Sequence, residues 1–303
     1  MPSLSYLNGR YVPIREATLP VWDRGLVQGA TITERFRTFR HELFLVEPHL
    51  DRLERSMEAT GIRAKESRAK LTDILRLVTE QGTRSLDSGL DIGIVLFVTA
   101  GPTPADAALY GVEHRTTTCV HPVSLPFHRW TRGYREGERL VIPRILAMPA
   151  EVLSPQVKYR SRLHWFLADQ SAHEQDPAAS ALLVDAEGRL TETSAANLFL
   201  VRGNELLTPT ADITLPGISQ QYLSGLARDL GLTVRMTDLR IDDLWQADEA
   251  LVSSTSSCLM PVVSVDGRPI GSGTPGPVFR RLIAEWSRRV GVDIVAQADK
   301  SPH

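Results

Sequence analysis

A lysine followed at short spacing by two arginines is the pattern in this chain most suited to covalent chemistry. The stretch Val157 to Ala172, VKYRSRLHWFLADQSA, carries Lys158 just ahead of Arg160 and Arg162. Neighbouring guanidinium charge disfavours an ammonium and favours the free amine, a nucleophile able to hold an aldehyde. Further along, RLTETSAANLFLV from Arg189 to Val201 places Glu192 in an alternating strand before the small residues Thr193, Ser194, Ala195 and Ala196. A flat ring can lie against such backbone, with the carboxylate on a ring nitrogen. Taken singly, Lys158 would be a surface lysine in most proteins, and Glu192 also reads as an exposed strand acid and Asn197 as a turn or strand-end amide.

Two turns suit an anion. In LPGIS, Leu215 to Ser219, Gly217 lets backbone approach a ligand while the Ile218 and Ser219 amides face outward at the positive end of a helix. The same letters also describe ordinary helix initiation with a serine cap. The run Ser253 to Ser257, with Ser254, Thr255 and Ser256 inside it, offers hydroxyls and amides directly after a strand, or else a loop that caps itself.

The elements that must position these groups read as follows. SYLNGRYVP is a hairpin about Asn8 and Gly9, and Asp23, Arg24 and Gly25 form a turn. Thr31 to Phe39 alternates as a strand with Thr33, Arg35 and Arg37 on one face and Glu34 on the other; polar residues on both faces imply that one lines a site. A helix through Met57 ends at Gly61 and carries Arg52, a second spans about Lys65 to Gln81, and strands follow at Asp91 to Thr99 and Arg115 to Val123. Residues 1–121 thus make a small α+β domain. Residues 122–137, with Pro122, Pro126 and Gly133, read as an interdomain linker. From 138 to 303, strands at Glu138 to Leu146, Ala181 to Val184, Ala196 to Val201 and Ala250 to Ser253 interleave with helices at Ser161 to His173, Ser219 to Leu230 and Pro277 to Val290. That order predicts an α/β domain with a barrel-like sheet, ending in a disordered tail from Ala298.

Composition removes several classes of function. A formal net charge of -2 over 303 residues, without basic runs, gives no footprint for nucleic acid or a membrane surface. No apolar stretch of signal or membrane-spanning length is present, so a cytoplasmic protein is expected. Cys119 and Cys258 are too distant for a disulfide framework and read as buried thiols, and the histidines lack the paired spacing of metal ligands.

Taken together, the lysine stretch, TETSAANLF, LPGIS and VSSTSSCLMPV (Val252 to Val262) resemble the class IV aminotransferases, the fold type IV pyridoxal-phosphate enzymes. WDRGLVQGATITE (Trp22 to Glu34) and HLDRL (His49 to Leu53) extend the resemblance in the same order. It implies the D-amino-acid aminotransferase-like fold, pyridoxal 5'-phosphate as cofactor, and an active homodimer acting on an amino acid and a keto acid of branched-chain or D-amino-acid type. It also implies that Lys158 is the covalent lysine, that Glu192 is the ring partner with Asn197 nearby, and that Arg52, Ile218, Ser219 and Thr255 hold the phosphate, with Gly217 and Ser254 also at the cofactor.

Departures from the family bear on substrate. Gly93 and Val95 stand where branched-chain enzymes carry a tyrosine and an arginine, Ala100 where D-amino-acid enzymes carry an arginine, and Thr33 in place of an aromatic. Arg35, Arg37, Arg160 and Arg162 are the candidates to replace the missing carboxylate trap, with Thr33 and Ser256 beside them, or else they form structural ion pairs. KYRSRL, TSAANLF and SCLMPV resemble aminodeoxychorismate lyases as closely, which leaves a pyruvate-releasing lyase as the alternative; a cofactor-binding protein without turnover is the third.

Overall fold

The computed structural model describes residues 4–299 apart from 85 and 88, in two compact units. Unit 1 is Met1–Leu125 with Val157–Arg162, and unit 2 is Pro126–Gln156 with Leu163–His303.

Unit 1 begins with β1 (Leu4–Leu7) and β2 (Arg10–Pro13). Asn8 and Gly9 between them have φ of 48° and 90°, the two positive values a tight antiparallel hairpin requires. α1 (Arg24–Val27) follows, then β3 (Thr31–Phe39), β4 (Glu42–Leu43), α2 (Val46–Thr60), α3 (Arg68–Thr83), β5 (Ile92–Thr99), α4 (Pro104–Tyr110) and β6 (Thr117–Ser124). The strands form one antiparallel sheet in the order β2-β1-β6-β5-β3-β4. Ile32 and Phe36 of β3 and Ile94, Leu96 and Val98 of β5 share one face and pack with Leu50 and Leu53 of α2 and Leu71, Ile74, Leu75 and Val78 of α3. The apolar spacing along both helices is what turns them onto that face. Gly61 takes the left-handed conformation that ends α2.

In unit 2, α5 (Phe127–Glu136) and β7 (Glu138–Val141) precede α6 (Leu163–Gln175), β8 (Ala179–Val184), β9 (Leu190–Thr193), β10 (Asn197–Arg202), β11 (Glu205–Thr208), α7 (Ile218–Asp229), β12 (Thr233–Met236), α8 (Ile241–Trp245), β13 (Glu249–Ser254), β14 (Cys258–Val265), β15 (Arg268–Pro269), α9 (Pro277–Val290) and α10 (Ile294–Asp299). The strands run β12-β11-β10-β13-β14-β7-β8-β9, and β9 returns to β10. The ring β10-β13-β14-β7-β8-β9 is therefore closed, a barrel as expected from the sequence. One edge of β10 is shared: Leu200–Arg202 take β11, and Asn197 takes Glu192 of β9.

Several expectations change. Asp23, Arg24 and Gly25 are a helix start, Asp23 Oδ1 accepting from the Gly25 amide at 2.7 Å. Residues 122–137 are the end of β6 followed by α5, with the boundary between the two units falling inside the run, after Leu125. Pro126 sits at the entry of that helix, and Gly133 lies inside it because a Cβ there would run into Glu138 and Met260. The strand begun at Glu138 stops at Val141, ahead of Pro143. Ala298 and Asp299, assigned to a disordered tail, belong to α10, with Ala298 buried; residues 300–303 lie outside the described residues.

α9 lacks a capping side chain of its own, its N-cap being Gly276. Glu249 of β13 supplies one from across the barrel wall: the Val278 and Phe279 amides donate to its two oxygens at 2.7 and 2.9 Å. Glu249→Ala strands two amides that the helix itself cannot satisfy and is expected to cost about 2 kcal/mol in urea unfolding, with the fold retained.

Candidate active site

Within unit 1, Lys158 lies in the extended run Val157–Arg162 and not at the mouth of α6, which starts at Leu163. The run pairs with β3 through an antiparallel bridge between Tyr159 and Ile32. The Thr33 amide donates to the Lys158 carbonyl at 2.8 Å, the Arg160 amide to the Thr31 carbonyl at 2.9 Å, and the Lys158 amide to Ser56 Oγ at 3.3 Å. Val157 and Tyr159 pack into the core of the unit, which anchors the lysine on both flanks. Bonds on each side of its Cα leave little freedom to the start of its side chain.

Behind this run a buried carboxylate accepts from one guanidinium and one imidazole. Glu34, fully enclosed, accepts from Arg52 Nε at 2.7 Å and Arg52 Nη2 at 2.8 Å, and from His49 Nδ1 at 2.7 Å. Burial alone would raise the Glu34 pKa, but the charge and hydrogen bonds of Arg52, with the His49 bond, bring it down to about 2. Burial pushes His49 the other way, below the usual imidazole range, so it is neutral and carries its proton on Nδ1 toward Glu34. A guanidinium gripped through Nε and Nη2 turns Nη1 away from the carboxylate. The sequence motifs point to Arg52 and pass over Glu34 and His49 as its partners, although one signal is present: His49 and Arg52 stand three apart on α2, one helical face.

Of the other unit 1 candidates, Thr33 Oγ1 donates to the Leu96 carbonyl at 2.9 Å. Arg37 is 1 % exposed, donates Nε to the Thr38 carbonyl and lies over the Phe39 ring at 4.0 Å, so it is sealed in the sheet. Arg35 and Arg160 remain on the sheet face that α2 and α3 leave uncovered.

In unit 2, Glu192 and Asn197 are opposite each other where the barrel closes. Asn197 Nδ2 donates to Glu192 Oε2 at 3.0 Å and to the Leu215 carbonyl at 2.9 Å, and the Leu215 amide donates to Glu192 Oε1 at 3.2 Å. One carboxylate is thereby tied to the LPGIS turn. Gly217 must be glycine, because a Cβ would land on Asn197 Oδ1. Its amide donates to Gln220 Oε1 at 3.2 Å, and Gln220 Nε2 donates on to Thr208 Oγ1 at 3.0 Å, a buried brace that no sequence motif announces. The Ile218 and Ser219 amides belong to the first turn of α7, which offers them no intrahelical acceptor. Ser254 bonds within its own turn, to Ser257 Oγ at 2.8 Å, while Thr255 and Ser256 occupy the tip of the β13–β14 hairpin. Ser253 Oγ, opposite Asn197 in register, is buried without a partner among the described residues. Among those residues no group of acids, cysteines and histidines could hold a metal ion.

The sequence model of the family described as Amino-transferase class IV matches residues 31–265. The chain belongs to that family. Similar proteins include a D-alanine aminotransferase of Listeria monocytogenes, 29% identical over 96% of this chain and 99% of the relative. Another is a Methanocaldococcus jannaschii protein named, provisionally, as a branched-chain-amino-acid aminotransferase, 28% identical over 91% of this chain and 93% of the relative. Among solved structures, the branched-chain amino acid aminotransferase of T.th. with pyridoxamine 5'-phosphate superposes with a TM-score of 0.84 at 25% identity, covering 96% of this chain and 95% of that one. Class IV aminotransferases are pyridoxal-phosphate enzymes, and the relatives favour neither the lyase nor the non-catalytic alternative.

Each unit, taken by itself, carries groups of a kind that fit that cofactor. Unit 1 supplies an amine on a fixed backbone and an oriented guanidinium. Unit 2 supplies a braced carboxylate, first-turn amides behind an obligatory glycine, and the orphaned Ser253 hydroxyl.

Acid bears first on the buried carboxylate. Glu34 has a folded pKa below its unfolded value, so its stabilisation is present above about pH 4.3 and is lost as pH falls toward 2. Neutral His49 adds to acid sensitivity in the same direction, since unfolding lets it take up a proton. Glu34→Gln should flatten the fall in stability between about pH 5 and 2 and remove up to about 3 kcal/mol at pH 7, read by denaturant titration across pH. Gly217→Ala should push the Asn197 amide off Glu192 and weaken cofactor binding by about tenfold or more while the protein stays folded, measured by equilibrium titration with pyridoxal phosphate.

Proposed function

We propose that this aminotransferase exchanges the amino group between an α-amino acid and an α-keto acid with Lys158 as the covalent and proton-carrying residue. Glu192 pairs with the ring nitrogen, and Arg52, Ile218, Ser219 and Thr255 bind the phosphate. The observation that carries this reading is the Glu192 carboxylate, tied by Asn197 Nδ2 and the Leu215 amide to the turn whose next residues open α7. Ring partner and phosphate cup are in this way parts of one braced piece.

Bound pyridoxal phosphate supplies an aldehyde that captures the substrate amine and a ring that draws off the electrons left at the α-carbon. The protein's residues do the rest. Lys158 Nζ, once released, takes the proton from the substrate α-carbon and returns it at the cofactor C4′. Glu192 as an anion holds a proton on the ring nitrogen. Arg52, oriented by Glu34, brings its positive charge to the phosphate.

Names among the relatives bring two donor classes into consideration, D-alanine and the branched-chain amino acids. The family resemblance favours a homodimer. No helix among the described residues is long and apolar enough to cross a membrane, which accords with a cytoplasmic enzyme.

Lys158→Ala should abolish borohydride-trapped cofactor; retained label would refute the assignment. Mixing the holoprotein with single L- and D-amino acids, with no keto acid present, should convert its absorption to that of the pyridoxamine form for one hand. Absence of conversion with every amino acid would remove the aminotransferase reading.

A further inference from the structure

The sheet of unit 1 has a second face. Register places Thr33, Phe97 and Cys119 in one row across β3, β5 and β6, and Arg35, Val95 and His121 in the next. Arg160, reached through its bond to Thr31, lies over the Phe97 ring at 4.7 Å. Two guanidiniums therefore share a small patch. Arg35 Nε is fully buried with no hydrogen-bond partner, and no Asp or Glu among the described residues pairs with either arginine.

Neither of the other titratable groups on the patch offsets this charge. Burial pushes the Cys119 thiol up to about 12 against the pull of Arg160, so it is not a thiolate. Burial also lowers His121, and both arginines lower it further, although its bond to the Pro122 carbonyl opposes them; it is neutral, with Nδ1 as donor. Burial lowers the Arg35 and Arg160 pKa values too, yet both stay charged at any physiological pH. Arg160 keeps contact with solvent, but Arg35 is half-buried and its Nε is sealed from water with no acceptor among the described residues, which costs stability. Such an arrangement is expected where a ligand provides the missing charge.

We infer that Arg35 and Arg160 form a paired-guanidinium site for a carboxylate of the amino-acid or keto-acid substrate. The site rests on the reading of Lys158 as the reacting amine, since Arg160 stands two residues from it on the same strand-like run. Arg160 is pre-set by its stack on Phe97, and Arg35 by the sheet, so each can present a planar fork to carboxylate oxygens at little entropic cost. Arg37 has no share in the site, being sealed under Phe39.

The test is calorimetric titration of the holoprotein with isovalerate, with isovaleramide and inorganic phosphate as the comparison arms. Isovalerate is expected to bind at least tenfold more tightly than the amide and than phosphate. Arg35→Gln and Arg160→Gln should each weaken isovalerate about tenfold or more while leaving amide binding, the unfolding temperature and borohydride-trapped cofactor unchanged. A purely structural arginine would instead lower the unfolding temperature and spare the titration. Equal binding of acid and amide, tighter binding of phosphate, or variants that bind isovalerate like the parent would each overturn the site. Loss of trapping in the parent protein would refute the role of Lys158 separately, because trapping does not read carboxylate affinity.

Discussion

Closure of the barrel in unit 2 depends on a single register pair, Asn197 opposite Glu192. β9 is only four residues long and pairs in register with β10 at that one position, next to the turn closed by the Thr193 amide on the Ala196 carbonyl, so the side-chain bond between them reinforces a short joint. The same two side chains reach the Leu215 backbone and fix where the LPGIS turn, and with it the start of α7, can stand. Gly217 follows from this: once the Asn197 amide occupies that position, there is no room for a Cβ. Gln220 and Thr208 then brace the turn from inside. A carboxylate that closes a sheet and carries a turn cannot be moved without cost to the fold, which is the rigidity a ring-nitrogen partner requires.

Unit 1 solves a similar problem with a fully buried charge. Enclosing Glu34 in the core costs several kcal/mol before pairing, and only the bidentate Arg52 with His49 makes it tolerable. The return on that burial is direction. An exposed arginine on α2 would sample many rotamers, whereas one locked through Nε and Nη2 is held in one orientation. Phe36, tilted against His49 at 4.8 Å, and Leu50 and Leu53 complete the enclosure. The acid acts through the arginine it positions.

How far the sequence discloses this depends on whether the information is local. The hairpin at Asn8 and Gly9, the span of β3 and the end of α2 at Gly61 are visible because turn chemistry and alternation are properties of neighbouring residues. The helix inside the run 122–137 is hidden for the opposite reason. Pro126 starts a helix as readily as it breaks one, and Gly133 is explained only by Glu138 and Met260 packed against it, the second of them far along the chain. Glu34, Gln220 and the capping role of Glu249 are hidden likewise, each depending on a partner in another element. Lys158 and Glu192 stand out through the family motifs, while the bonds that hold them come from Ser56, Thr33, Asn197 and Leu215, spread across the sequence.

Arginines illustrate why residue type alone does not sort function from structure here. Arg35, Arg37 and Arg52 are all candidates on or beside β3, and composition gives no ground to prefer one. Their surroundings separate them. Arg52 has a carboxylate dedicated to it, and Arg37 has a carbonyl and the face of Phe39. Arg35 and Arg160 have an aromatic platform, a neutral thiol and a neutral imidazole, and no acid among the described residues. The enclosed, unpartnered Arg35 Nε is unfavourable for folding, so its persistence there needs a benefit that folding does not supply. In a family whose substrates are amino and keto acids, a carboxylate is the anion that must arrive in every catalytic cycle, and this chain lacks both of the arginine positions by which its relatives' classes are expected to receive one. Arg35 faces Val95 across the β3–β5 pairing, so the proposed guanidinium site would stand on the strand next to the one where the trap is expected, on the same sheet face.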